Sequence, residues 1–284
     1  MNPRKQGAEI FVPDGTPVAE ALARTTHMGI GAHQDDLEIM AYDGILKCFG
    51  RDDAWFLGVT CSNGSGSPRA GLYADYTDEM MMDVRRAEQK KAAVIGEYTA
   101  QVLLNYASKE LRDPDNPDPR ADLVDLLRAA KPEVVYTHNF ADKHTTHIGA
   151  VSRTLEAIRE LDAGERPGKL YGCEVWRDLD WLLDDEKVHF DVEGHENLEM
   201  SLLGVFDSQD LGGKRYDLAT LGRRRAHATY AESHETDVTD SMIFAMDLTP
   251  LIEDDDLDPR EYVKGHLDRL AANVIEVMDG ILRG

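Results

Sequence analysis

Apolar runs and helical patterns alternate along residues 26–161. Four short apolar runs predict buried strands over residues 26–32, 54–61, 102–106 and 133–138. Apolar positions at helical spacing predict helices over residues 37–49, 78–96, 120–130 and 144–161. Strands and helices that alternate in this way predict a parallel sheet covered on both faces. With right-handed crossovers, the architecture is Rossmann-like.

The last third of the chain has a more mixed pattern. Strands are predicted over residues 172–177, 187–192 and 241–248, and helices over residues 196–206, 214–232 and 261–282. No linker divides the chain, so we predict one α/β domain over residues 1–284. The fold class is a Rossmann-like, mostly parallel sheet flanked by helices, with a mixed C-terminal portion.

Composition and charge exclude several classes of partner. The formal net charge of −23 would repel nucleic-acid phosphates and anionic lipid headgroups, so no nucleic-acid partner is expected. The first residues lack the apolar stretch of a signal peptide, and no run approaches the ~18 apolar residues of a membrane helix. We therefore expect a cytoplasmic protein without membrane insertion. The three cysteines form no CxxC pair, which argues against a cysteine-built zinc site.

A first polar cluster, AHQDDLE over residues 32–38, follows the first predicted strand and opens a helix. His33 and Asp36 are three residues apart, so at a helix start their side chains can converge on one point. A neutral imidazole and a carboxylate suit Zn²⁺. Asp35 lies between them and cannot point the same way, but it can overhang the metal and accept a proton from a bound water.

A second polar cluster, HNFADKHTTH over residues 138–147, follows the fourth predicted strand. His144 and His147 repeat the three-residue spacing at another helix start. One of them can complete a three-ligand zinc site, and the other can stand beside the open coordination position. The two clusters together predict a metal site at neighbouring strand ends.

These motifs resemble those of the LmbE/PIG-L family of zinc-dependent N-deacetylases. AHQDDLE is similar to the AHPDD-[VI]-E motif of that family, with Gln34 in place of the usual proline. DKHTTH is similar to its H-x-D-H segment, with Thr146 where aspartate is common. Residues 85–88, RRAE, resemble its R-x-x-E helix. The resemblance extends from about residue 28 to residue 151 and is looser afterwards.

The resemblance implies a zinc ligand set and a mechanism. His33, Asp36 and His147 would hold Zn²⁺, with water in the fourth position; Fe²⁺ or Co²⁺ would suit the same ligands. Asp35 would act as the general base on that water. His144, as an imidazolium, would stabilise the oxyanion and protonate the departing amine.

Two further residues are candidates for substrate contact or support. Arg85 would contact a sugar hydroxyl or a phosphate, or would instead pair with Glu88 or another neighbour. Asp142 would orient His144 or face the substrate. The implied reaction is hydrolytic removal of an N-acetyl or other acyl group from an N-acetylglucosamine-type conjugate, a small-molecule substrate. Members of this family often assemble, so a homo-oligomer is among the expected states.

Three alternatives remain open at this level. One is an amidase of another acylamine or of a thiol conjugate on the same fold, and residues 173–234 are expected to shape the pocket that would distinguish it. Another is a nucleotide-binding module, because residues 29–34 begin like GxGxxG, although Gln34 replaces the third glycine and acidic residues follow. The third is a zinc-binding protein without catalysis, which would be expected to close its site with four protein ligands.

Overall fold

One eight-stranded sheet runs through the computed structural model, which describes residues 2–282. Its strands are β1 (Glu9–Phe11), β2 (His27–Gly31), β3 (Phe56–Ser62), β4 (Ala100–Tyr106), β5 (Val134–His138), β6 (Lys169–Cys173), β7 (Lys187–Asp191) and β8 (Met242–Asp247). They lie in the order β1-β4-β3-β2-β5-β6-β8-β7. The five strands from β4 to β6 in that order pair in parallel, and β1, β8 and β7 add antiparallel pairs at the two sides. The predicted fold class is confirmed.

Helices cover the sheet and fill the connections. They are α1 (Val18–Ala23), α2 (Asp36–Met40), α3 (Tyr42–Cys48), α4 (Asp78–Ile95), α5 (Ser108–Arg112), α6 (Asp118–Ala130), α7 (Thr145–Arg159), α8 (Glu196–Gly204), α9 (Asp207–Asp210), α10 (Tyr216–Tyr230), α11 (Pro250–Glu253) and α12 (Pro259–Ile281). Short 3₁₀ turns occupy Gly71–Tyr73, Ala163–Glu165 and Asp184–Glu186. Among residues 2–282, no helix combines the length and the apolar composition needed to cross a bilayer.

The strand order reverses direction between β2 and β5. The chain winds outwards from β2 through β3 to β4 on one side, and from β5 to β6 on the other. At such a switch point the connections leave on opposite sides, and a crevice opens beyond the carboxyl ends of the two central strands. Both polar clusters begin at these two strand ends.

The sheet buries apolar side chains on both faces, as parallel sheets do. Along β2, Met28 and Ile30 point into one core, whereas Gly29 and Gly31 face α2 on the other side. A Cβ at Gly31 would lie 3.0 Å from the Cβ of Asp36. These glycines therefore allow α2 to pack closely on the sheet, which is a structural role that does not require a nucleotide.

Two predicted elements differ from the structure. The helix predicted over residues 37–49 is interrupted at Ala41, whose φ of −110° and ψ of 20° lie outside the helical region. The strand predicted over residues 172–177 ends at Cys173. The backbone N–H of Trp176 donates to the carboxylate of Asp142 rather than to a neighbouring strand, so this segment turns away from the sheet. The short edge strand β1 was not predicted.

Candidate metal centre and active-site cleft

The turn after β2 brings a histidine and an aspartate together at the start of α2. The backbone N–H of His33 donates to Asp36 Oδ2 over 2.6 Å, which holds the Asp36 carboxylate against the turn. Asp35 adopts a left-handed conformation with φ of 81°, so its side chain leaves the backbone in a different direction. Its own N–H donates to the side-chain carbonyl of the buried Gln89. This backbone explains why the side chains of Asp35 and Asp36 point in different directions, as the sequence predicts.

Three side chains from the two clusters converge at the switch point. His33 Nδ1 lies 3.2 Å from His147 Nε2 and 3.4 Å from Asp36 Oδ2, and His147 Nε2 lies 3.4 Å from Asp36 Oδ1. Two ligands that each sit ~2.0–2.1 Å from a tetrahedral zinc ion are separated by roughly 3.3 Å. The distances between these side chains are close to that spacing. Two overlapping clusters have donor atoms near enough to hold a metal ion, one of His33, His144 and His147 and the other of Asp36, His138 and His147, so both His144 and His138 lie within reach of the same site.

The protonation of His147 suits a metal ligand. Its Nδ1 lies 3.2 Å from Asp142 Oδ2, so the ring proton sits on Nδ1 and the Nε2 lone pair faces His33 and Asp36. Burial, together with His138, lowers the pKa of His147 to about 4, which keeps the imidazole neutral. An imidazole must be neutral to bind a metal ion.

Asp142 supports a different histidine from the one predicted. Its carboxylate contacts the ring of His147 and the backbone N–H groups of His144 and Trp176, but not the ring of His144. The side chain is fully buried, so it does not face a substrate either. Asp142 reaches His144 only through the backbone N–H of that residue, and its orienting of His144 stays a prediction. The H-x-x-H spacing could not have shown which ring the preceding aspartate would reach.

His138, at the end of β5, belongs to the centre although it was not predicted as a ligand. Its fully buried ring stacks on that of His147 with the centroids 3.8 Å apart. Its Nε2 accepts the N–H of Ala32 over 2.9 Å and lies 3.2 Å from Asp36 Oδ2. In the sequence it is the first residue of the second cluster. Its hydrogen bond with Ala32 joins the end of β5 to the end of β2.

Asp35 is held beside this centre by a buried arginine. Arg85 on α4 donates to Asp35 Oδ2 over 2.7 Å and to Glu88 Oε2 over 3.0 Å. A second N–H of Arg85 reaches the carbonyl of Gln34. Burial raises the pKa of Asp35 to about 7, against the opposing effect of Arg85. The Arg85 side chain is only 2% exposed and forms the predicted ion pair with Glu88 as well as the pair with Asp35, so it positions Asp35; it also lines the cleft, and its contact with a substrate stays a prediction.

His144 stands on the open side of the centre. Its half-buried ring lies edge-on to His33 at 5.0 Å between centroids and stacks near Trp176 at 6.2 Å. Burial and the neighbouring His33 lower the pKa of His144. The lowered pKa favours the neutral ring, whereas the family resemblance implies an imidazolium, which stays a prediction. Its position in the wall of the cleft agrees with a residue that acts on a substrate.

The centre opens into a cleft of about 570 Å³. One wall comes from the first cluster and the loop after β3, and the opposite wall comes from the last third of the chain. Residues of that last third that line the cleft are Val175, Trp176, Gln209, Lys214, Tyr216, Ala219, Thr220 and Arg223. The region from residue 173 to residue 234 thus contributes to the pocket, and its residues could not be assigned from the sequence.

Buried polar contacts join this wall to the metal centre. Ser208 donates through both its N–H and its hydroxyl to the carboxylate of Glu88, one turn from Arg85 on α4. Arg224 on α10 is 2% exposed, pairs with Glu199 over 2.7 Å and donates to the carbonyls of Glu38 and Ile39 in α2. The last third is therefore fixed to α4, which carries Arg85, and to α2, which begins at Asp36.

Comparisons with known proteins agree with this site. Residues 28–158 match the family described as PIG-L, GlcNAc-PI de-N-acetylase. The fold is similar to that of the N,N'-diacetylchitobiose deacetylase from Pyrococcus horikoshii, with a TM-score of 0.60, 16% identity, and coverage of 82% of this chain and 86% of that one. It is also similar to the A40926 pseudoaglycone deacetylase Dbv21, with a TM-score of 0.57, 17% identity, and coverage of 79% and 97%.

A protein with another activity shares the fold. GalB, the 4-carboxy-2-hydroxymuconate hydratase from Pseudomonas putida KT2440, aligns with a TM-score of 0.57 at 18% identity, over 79% of this chain and 95% of that one. A comparison with curated protein sequences gives no match. At such identities the structural likeness shows the fold alone, and the reaction has to be argued from the site.

Proposed function

Because residues 28–158 belong to the PIG-L (LmbE-like) family, we propose that this protein is a zinc-dependent hydrolase that removes an acyl group from the nitrogen of an N-acetylglucosamine-type conjugate. Acetyl is the proposed acyl group. The observation that carries the proposal is the convergence of His33, Asp36 and His147 at the base of the cleft, where His33 Nδ1 and His147 Nε2 lie 3.2 Å apart and each lies 3.4 Å from one of the two Asp36 carboxylate oxygens. Asp35 lies beside them in the wall of the same cleft.

The donor set suits zinc and, with the same atoms, Fe²⁺ or Co²⁺. When bound, such an ion acidifies a water molecule and polarises a carbonyl group. Three protein ligands leave a coordination position open, which distinguishes a catalytic site from a structural one. Asp142 and His138 support the ligands from behind through His147 and Asp36.

Asp35 acts as the general base. Its raised pKa matches the proton affinity that a base needs near neutral pH, and Arg85 fixes the direction of its carboxylate. Asp35 takes a proton from the attacking water and then passes this proton to the departing amine. Neutral His144 donates a hydrogen bond from its ring to the carbonyl oxygen as negative charge develops there.

Two rival reactions share these residues. Another acylamine or a thiol conjugate would present the same amide to the centre, and a hydratase would add water to a carbon–carbon double bond, as the name of GalB states of that protein. Release of a primary amine together with acetate separates the deacetylase from the hydratase. Comparison of a glucosaminide with a simple acylamine separates it from the general amidase.

The test combines metal content with product analysis. The purified protein is stripped with a chelator, its metal content is measured by mass spectrometry, and zinc, Fe²⁺ or Co²⁺ is restored one at a time. Amine and acetate release are then measured with N-acetylglucosamine, methyl N-acetylglucosaminide and N-acetylbutylamine. We expect about one metal ion per chain and chelator-sensitive release from the sugar conjugate in preference to the simple acylamine.

A pair of histidine variants makes the test specific. His33→Ala should lose both metal and amine release, because it removes one of the three donor atoms. His234→Ala is the matched control, since His234 is exposed and does not line the cleft. Equal metal content in the two variants would contradict the ligand assignment. Bound metal without amine release from any conjugate would contradict the proposed reaction.

A further inference from the structure

We propose that the substrate carries an anionic group, a carboxylate or a phosphate, on the part of the conjugate that lies away from the acyl group, and that Arg112, Lys214 and Arg223 bind it. This inference rests on the proposed function, because it describes the conjugate on which the same site would act. All three side chains line the cleft. Two of them, Lys214 and Arg223, lie outside the segment that matches the family.

The three cations lack acidic partners, and the other described lysines and arginines without an acidic partner lie outside the cleft. The chain has 54 acidic and 31 basic residues, and most of its described lysines and arginines pair with a carboxylate. Within residues 2–282, no carboxylate lies within 4 Å of the charged nitrogens of Arg112, Lys214 or Arg223. Unpaired positive charge concentrated in one cleft of a strongly acidic protein indicates that the missing partner belongs to the ligand.

Neutral contacts hold two of these cations in place. Arg112 donates to the hydroxyl of Thr145 and to the carbonyl of Ser108, both over 3.2 Å. Arg223 donates one N–H to the carbonyl of Val175 over 2.8 Å. Such contacts orient a guanidinium without neutralising it, and they leave N–H groups available for an oxyanion.

A glycine turn brings the third cation to the cleft. A Cβ at Gly212 would lie 1.9 Å from the carbonyl oxygen of Ser208, and Gly213 has φ of 101°, so the turn between α9 and α10 depends on both glycines. The turn places Lys214 Nζ 4.9 Å from the centroid of the Trp176 ring. The same ring stacks near His144, so Lys214 and the catalytic side of the cleft share one aromatic wall.

The carboxylates already in the cleft do not neutralise these cations. Asp35 is paired with Arg85, and Asp36 faces the histidines of the metal centre. The sign of the unmatched charge is therefore positive, and a bound divalent ion would add to it. A conjugate with an anionic aglycone complements this arrangement, whereas a neutral glycoside would leave three charges without a partner.

Two matched pairs of conjugates test the inference. Carboxymethyl N-acetylglucosaminide is compared with methyl N-acetylglucosaminide, and 2-phosphoethyl N-acetylglucosaminide with its hydroxyethyl counterpart. We expect kcat/KM to be at least about tenfold higher for the anionic member of one or both pairs, mainly through a lower KM. The pair with the larger ratio identifies carboxylate or phosphate. The preference should shrink as ionic strength rises.

Variants assign the preference to residues. Lys214→Gln and Arg223→Gln should each reduce the ratio of anionic to neutral kcat/KM by roughly tenfold, about the effect of one charged hydrogen bond. Arg128→Gln is the control: Arg128 is exposed on α6, lies outside the cleft, and its loss should leave the ratio unchanged. An equal fall of this ratio in all three variants would mean that the preference depends on the overall charge of the protein, and it would overturn the assignment to Lys214 and Arg223.

Binding separates the failure of this inference from the failure of the proposed function. The Asp35→Asn protein, loaded with zinc, is titrated with the four conjugates by calorimetry, so that no turnover is needed. Amine release from all conjugates with equal kcat/KM, or equal dissociation constants in the titration, would overturn the anionic subsite while leaving the deacetylase intact. If no conjugate releases amine but the anionic ones bind about tenfold more tightly, the subsite holds and the proposed reaction fails.

Discussion

Replacing Asp35 with asparagine isolates the role of its carboxylate. The left-handed backbone at residue 35, with φ of 81°, is tolerated by asparagine almost as well as by aspartate, but it strains other side chains by roughly 1–2 kcal/mol. Asp35→Asn therefore removes one proton acceptor without disturbing the turn that places His33 and Asp36. Asp35→Ala would mix the loss of the carboxylate with backbone strain.

The size of the effect follows from the environment of the carboxylate. Asp35 is buried except for its edge in the cleft, accepts a 2.7 Å bond from Arg85 and has a pKa raised to about 7 by burial. A positioned base of this kind contributes about 10²–10⁴ to the rate. We expect kcat for Asp35→Asn to fall by that factor, which corresponds to roughly 3–5 kcal/mol in the barrier.

Metal binding should survive, because the Asp35 carboxylate is not one of the three converging donors. The assay is amine release at saturating substrate, with metal content and urea unfolding measured on the same preparation. Asp35→Ala should be about 1 kcal/mol less stable than Asp35→Asn because of the left-handed backbone. Turnover near that of the wild type in Asp35→Asn would refute the assignment of the base. Loss of metal from that variant would show that Asp35 is a ligand.

Three further predictions concern the residues around the centre. Asp142→Asn should weaken metal binding about 10–100-fold, measured by competition with a chelating dye, because the hydrogen bond that fixes the ligand ring is weakened. Arg224→Met should lower the free energy of unfolding by up to about 3–5 kcal/mol, because the buried Glu199 loses its 2.7 Å partner and keeps only Arg225 at 3.8 Å, and the double variant with Glu199→Leu should recover most of the loss in urea titrations. Arg85→Lys should reduce kcat at unchanged metal content, since one ammonium cannot repeat the guanidinium's simultaneous contacts to Asp35 and Glu88.

The parallel sheet and the position of the metal centre were predictable because both depend on local patterns. Apolar runs bounded by helical periodicity correctly gave the parallel core, and two polar clusters at strand ends must meet when those strands are neighbours. The convergence of His33, Asp36 and His147 follows from this topology. The additional packing of His138 depends on the exact end of β5, which periodicity does not resolve.

The partners of individual side chains were less predictable. Whether Asp142 reaches the ring of His144 or that of His147 depends on the direction of the chain before α7. The sequence also does not show whether Arg85 faces a ligand or a carboxylate of the protein. Burial decides both cases, because Asp142 and Arg85 are enclosed by residues distant in the sequence. Burial also lowers the pKa of His144, an effect that the sequence motif does not show.

Different parts of the chain supply the metal donors and the facing wall of the cleft, which explains why the substrate was the hardest feature to predict. The segment that matches the family supplies the metal donors and Asp35, whereas Trp176, Lys214 and Arg223 come from the remaining third. These parts are joined by buried polar contacts and not by shared ligands, so the facing wall can change without altering the metal centre. Deacetylases and a hydratase on this fold are consistent with such independence. The charge of the facing wall, rather than the metal motif, is therefore the feature from which the substrate class should be inferred.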